Sequence, residues 1–117
     1  MHKFDYHRLD AFSVAREALR RGEAVARQLP RGHAHLADQL RRALLAAFLG
    51  IAEGSSRFGN DRIARFRCAR GEASEAAAAM EAIQVLSLAE EQEVGEILQL
   101  LDRLCAMLTR LGRFEPR

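Results

Sequence analysis

A chain of 117 residues, 49% of them apolar and with a net charge of +2, can build one hydrophobic core and is too apolar for disorder. Its two Cys exclude a disulfide scaffold, and its two Pro argue against a loop-rich β chain. The longest charge-free run, Ala43 to Ala52, is ten residues, about half of the ~20 that a membrane-spanning helix needs.

Apolar residues recur with a period near 3.6, and four helices follow in chain order. Before the first, Met1-His2-Lys3 leads to Asp5 and Asp10 rather than to an apolar segment, so no secretory leader is expected. The expected location is cytoplasmic, with Cys68 and Cys105 as reduced thiols. The first helix spans about Leu9 to Leu29. Leu9, Phe12, Arg16, Leu19, Glu23 and Ala26 share one stripe, which Val14, Ala18 and Val25 widen, and Pro30 and Gly32 end it.

The second helix spans about Leu36 to Ser55 and ends at Gly54-Ser55-Ser56. Leu36, Leu40, Ala43, Leu44, Ala47 and Ile51 form the core face. Leu45, Phe48, Leu49 and Ala52 lie on the other side, and two apolar faces on one helix imply a second covering surface, hence a homo-oligomer. The competing explanation is a helix placed centrally under a loop.

Phe58-Gly59-Asn60 reads as a turn, with Asn60 or Asp61 as the cap of a third helix over about Asp61 to Leu86. Ile63, Phe66, Ala69, Ala73, Ala76, Ala77, Met80 and Ile83 make its core stripe. The opposite stripe is Ala64, Cys68, Gly71, Glu75, Ala78, Ala79 and Ala82, small enough for close approach of another helix. Gly71 inside a helix costs ~1 kcal/mol relative to Ala, so close packing is expected there. Glu75 is expected to be covered and paired with Arg42 or Arg57. Leu45, Phe48, Leu49, Ala52, Ala78 and Ala82 are thus the candidate oligomer interface.

The fourth helix starts after Ser87 and runs over about 90 to 111, with Glu90, Glu91 and Glu93 favouring its N-terminus. Val94, Ile97, Leu98, Leu101, Leu104, Cys105, Leu108 and Leu111 face the core, and Arg113 to Arg117 form a short tail. Short connections between long helices predict an all-α, antiparallel up-and-down four-helix bundle occupying the whole chain as one domain.

Charge is distributed unevenly. Residues 1–71 hold 14 Lys and Arg against 7 Asp and Glu, whereas residues 72–117 hold 4 against 9. Arg41, Arg42, Arg57, Arg62, Arg65, Arg67 and Arg70 form the basic cluster. Five of them fall between 57 and 70 around the second turn, where Arg forks suit phosphate. RNA or single-stranded DNA is therefore a candidate partner, alongside a second copy of the chain or an unidentified protein.

Catalytic signatures are lacking. The four His, at 2, 7, 33 and 35, are remote in sequence from both Cys. His33-Ala34-His35 is at most two ligands, and no Glu-x-x-His pair or Gly-rich phosphate loop occurs. A non-enzyme with no cofactor and no metal is expected.

Gln39-Leu40-Arg41-Arg42-Ala43, Ile51-Ala52-Glu53-Gly54, Arg57, Phe66, Ala69-Arg70-Gly71 and Ser74-Glu75 resemble the four-helix-bundle proteins of the 23S ribosomal RNA intervening-sequence family. The resemblance runs from Phe4 to Leu111. Its motif positions here are Arg42, Ile51, Ala52, Glu53, Gly54, Arg57, Gly71 and Glu75. It implies a ring-shaped homopentamer of up-and-down bundles and no defined activity. The accessory variability proteins of diversity-generating retroelements have a similar fold, and they bind a reverse transcriptase and nucleic acid. One stretch departs from the pattern. Where the family usually has Ser-Ile-Pro-Ser-Asn, this chain has Ala46-Ala47-Phe48-Leu49-Gly50, which removes a kink and an amide and favours packing over chemistry.

Overall fold

The computed structural model describes residues 4–113; residues 1–3 and 114–117, which include the expected C-terminal tail beyond Arg113, lie outside the described residues. Four α-helices carry the chain: α1 Asp10–Gln28, α2 Ala34–Ser55, α3 Gly59–Val85 and α4 Glu91–Leu111. Single 3-10 turns occupy Asp5–Arg8 and Arg31–His33, and the described residues contain no strand. α2 and α3 each begin two residues earlier than their periodicity predicts. The cap of α3 is also not Asn60 or Asp61. Phe58 occupies that place in extended backbone and makes no side-chain cap, while Gly59 opens the helix at φ +58°. The cap of α4 is Glu90, whose carboxylate accepts from the backbone N–H groups of Gln92 and Glu93.

Consecutive helices run antiparallel, because their contacts pair rising with falling numbers. Between α3 and α4, Arg67 donates to the Gly112 carbonyl at 2.6 Å and Arg70 to Thr109 at 2.7 Å. Between α1 and α4, Arg21 bridges Glu93 and Glu96. That partnership holds the Glu96 carboxyl below its ordinary value of 4.5, with a smaller contribution from the Gln92 amide. α1 packs on α2 and α4, as does α3, so α1 and α3 occupy diagonal corners.

The core lies between the four inner faces, and Leu40, Ile51, Phe66, Met80, Ile83, Ile97, Leu101, Leu104 and Leu108 are completely covered. No polar or charged residue is buried in it. Of the expected α1 stripe, Phe12, Val14, Ala18, Val25 and Ala26 are buried, but Arg16 is exposed, Leu9, Leu19 and Glu23 are half-buried, and Ala11, Ala15 and Gly22 complete the inner face. The reason is proximity: a Cβ at Gly22 would stand 2.3 Å from Leu44 Cδ1, so small residues form the seam with α2. Six core assignments elsewhere also loosen, since Leu36, Ile63, Ala77, Leu98, Cys105 and Leu111 are only half-buried.

The connection after α3 contains one strained residue. Ser87 sits at φ +54°, the left-handed region that favours Gly. Ser87→Gly is expected to stabilise the protein by about 1 kcal/mol, read as a higher urea midpoint with an unchanged slope.

Candidate functional site: the outer ridge of α2 and the arginine turn

The second apolar face of α2 divides in two. Phe48 is half-buried against Phe12, with ring centroids 4.6 Å apart, and Tyr6 packs on Phe12 at 4.5 Å with the rings tilted by 43°. Ala52 is also half-buried and packs on the core. Phe48 and Ala52 are therefore partly covered within their own chain, Phe48 by the Phe12 ring of α1 with Tyr6 of the N-terminal turn behind it. Leu45 and Leu49 have no such cover and remain 47% and 48% exposed.

Along the α2–α3 seam the backbones come close. A Cβ at Gly50 would lie 3.2 Å from Ala69 Cβ, and one at Gly54 would lie 2.8 Å from Phe66 Cε1. Beside this seam, between Leu49 and the exposed Cys68, runs a groove of about 430 Å³. One wall carries Glu72, whose Oε2 is buried and has no hydrogen-bond partner among the described residues. The sequence reading missed Glu72; its only sequence signal is an acid at the edge of a small-residue stripe.

The small-residue stripe of α3 behaves differently from expectation. Ala64, Cys68, Gly71 and Ala78 are exposed, Ala82 is half-buried and Ala79 belongs to the core. Cys68 is therefore not a packed core residue. Cys105 is half-buried, with its sulfur 3.7 Å from Ser74 Oγ. No atom of the chain lies within 4 Å of a Cβ built at Gly71, so no helix of its own chain packs there. Glu75 is exposed and makes no ion pair among the described residues. Its expected partners are occupied: Arg42 bonds Gln39 at 2.7 Å, and Arg57 pairs with Asp61 at 3.6 Å.

The arginine cluster is largely engaged inside the chain. Arg41 pairs with Glu23 at 2.7 Å, and Arg65 pairs with Glu53 at 2.8 Å and Asp61 at 3.4 Å. Arg62 donates to the carbonyls of Gly54 and Ser55 at 3.3 and 3.2 Å, satisfying the end of α2, and stacks over Phe66 at 4.8 Å. Arg67 and Arg70 bind the last turns of α4. Around them, Phe58 projects 87% exposed from the turn.

Four of the motif residues therefore have structural work, whereas Gly71 and Glu75 stay exposed. Ile51 is fully buried, Gly54 admits the Phe66 ring, Glu53 holds Arg65, and Arg57 holds Asp61. A family model described as 23S rRNA-intervening sequence protein matches residues 7–110. The chain belongs to this family. The 23S rRNA-intervening sequence match spans all four helices, from the N-terminal turn to the last turn of α4. No curated protein matches the chain. No helix among the described residues is long and apolar enough to cross a membrane, and no three His, Cys, Asp or Glu among them converge as a metal site would require.

Proposed function

We propose that this member of the 23S rRNA-intervening sequence family is a non-enzymatic, self-assembling scaffold whose copies meet through the outer ridge of α2. The observation that carries the reading is the pair Leu45 and Leu49, each nearly half exposed one helical turn apart, on a helix whose other large apolar residues are buried or half-buried. Two features beside the ridge support it. The α3 stripe is small and open at Gly71, the Glu72 oxygen in the adjoining groove lacks a donor, and burying such a group without one is unfavourable. A closed ring of five is the assembly that the family resemblance implies. A nucleic-acid role through the arginine turn has weaker support, because Arg57, Arg62, Arg65, Arg67 and Arg70 already bond within the chain.

Light scattering on a sizing column tests the reading. The wild type is expected well above its 13.1 kDa chain mass. Leu49→Glu is expected to run as a monomer with its helical circular dichroism intact, since an unpaired charge would enter the covered face. A wild type that elutes as a monomer at micromolar concentration overturns the proposal.

A further inference from the structure

Two grooves on opposite sides of the bundle differ in charge and in the size of their residues. The groove between α1 and α2 is lined by Arg20, Arg27, Arg41 and Glu23, and Leu45 rises from its wall; Arg20 pairs with Glu17 and Arg41 with Glu23, so Arg27 carries the uncompensated positive charge. The groove between α3 and α4 is lined by Glu81 and Asp102 with no cation, over a floor that includes Ala77, Ala78 and Leu98. Arg27, Glu81 and Asp102 make no ion pair among the described residues, and all three are exposed. The grooves are of similar size, about 660 and 610 Å³. One presents large apolar side chains between arginines, and the other small residues between carboxylates.

The geometry points to a head-to-tail contact in which the α1/α2 groove of one copy, with Leu45, docks on the α3/α4 groove of the next. The inference rests on the self-assembly reading above and names the surface that the α2 ridge meets. The occupant is a second copy of this chain because the two surfaces complement each other in sign and in relief. Arg20 and Arg27 come opposite Glu81 and Asp102, and Leu45 seats over Ala77 and Ala78. Since α1 and α3 are diagonal, the two grooves face away from each other. Each copy can then use both at once, and a contact between unlike surfaces continues into a ring or a filament rather than stopping at a dimer. Opposite charges at the rim also fix which surface meets which, because like grooves would repel.

Charge reversal on each side separately tests this. One variant carries Arg20→Glu and Arg27→Glu, the other Glu81→Arg and Asp102→Arg. All four positions are exposed on helices, so both variants are expected to keep the wild-type circular dichroism. Each alone is expected to lose the high-mass species and run at the chain mass. An equimolar mixture should contain two intact surfaces, the acidic groove of the first variant and the basic groove of the second. These permit one contact, and the two reversed grooves also become complementary, so the mixture should form alternating species above the chain mass that neither variant shows alone; a ring of five cannot alternate throughout, so recovery means association rather than the wild-type mass. Wild-type assembly should weaken as salt rises from ~0.05 to ~0.5 M, where the Debye length falls below ~5 Å. Recovery only on mixing, with salt sensitivity, supports the contact. Wild-type mass in either folded variant, or no recovery on mixing, overturns it while leaving self-assembly standing. A monomeric wild type removes both readings.

Discussion

Gly54→Val is expected to destabilise the protein by about 3 kcal/mol, the upper part of the range for forcing extra atoms into a packed core. A Cβ at this position would stand 2.8, 3.0 and 3.2 Å from three atoms of the Phe66 ring. That ring cannot retreat, because Phe66 is completely buried and carries the Arg62 guanidinium on its face. Ala is the informative intermediate. In an open helix Gly→Ala gains ~1 kcal/mol, but here the clash opposes the gain, and Gly54→Ala should still lower the denaturation midpoint. Gly71→Ala is the control: with nothing within 4 Å of its Cβ, it should stabilise the isolated chain by up to ~1 kcal/mol. Equal responses at the two glycines would show that the α2–α3 seam is not what fixes Gly54. Chemical denaturation with matched slopes measures both.

The two glycines also show where the sequence was legible and where it was not. Each sits in a family-motif position, and each is a costly residue inside a helical pattern. The sequence reading assigned close packing to Gly71 and took Gly54 only as the end of α2. The structure reverses this, because which glycine meets a neighbour depends on how α2 and α3 rotate about their axes, and helical period leaves that rotation open. The same freedom explains α1, where Ala11, Ala15 and Gly22 join the expected Phe12, Ala18 and Val25 on the inner face and Arg16 and Glu23 leave it. By contrast, α4 was legible in detail. Val94, Ile97, Leu101, Leu104 and Leu108 make a strong apolar stripe, and all five are fully buried. The arginine turn was legible in composition but not in pairing. Arg65 reaches Glu53 twelve residues away and Arg70 reaches Thr109 thirty-nine away, contacts that only the assembled bundle creates.

Phe12→Ala is expected to cost about 3–5 kcal/mol, the usual range for truncating a buried aromatic. In a domain whose total stability is ~5–15 kcal/mol, this should lower Tm by roughly 10–20 °C. Phe12 is 7% exposed and is the centre of a ring cluster: Tyr6 lies 4.5 Å from it, Phe48 4.6 Å and His7 5.7 Å. It thus ties the Asp5–Arg8 turn to α2 through its own ring, and that ring is what Phe48 packs against. Removing the ring should expose Phe48, so the variant should bind a hydrophobic dye more strongly than the wild type. Leu45→Ser is the comparison within α2. Leu45 is already 47% exposed, so its truncation should change the stability of the isolated chain by no more than about 0.5 kcal/mol, the usual surface range, while weakening assembly. A double-mutant cycle with Phe48→Ala separates the ring contact from simple area loss. A coupling of about 0.5–1.5 kcal/mol is expected for a packed aromatic pair. A coupling near zero, with Phe48→Ala instead dissociating the oligomer, would return Phe48 to the intermolecular face.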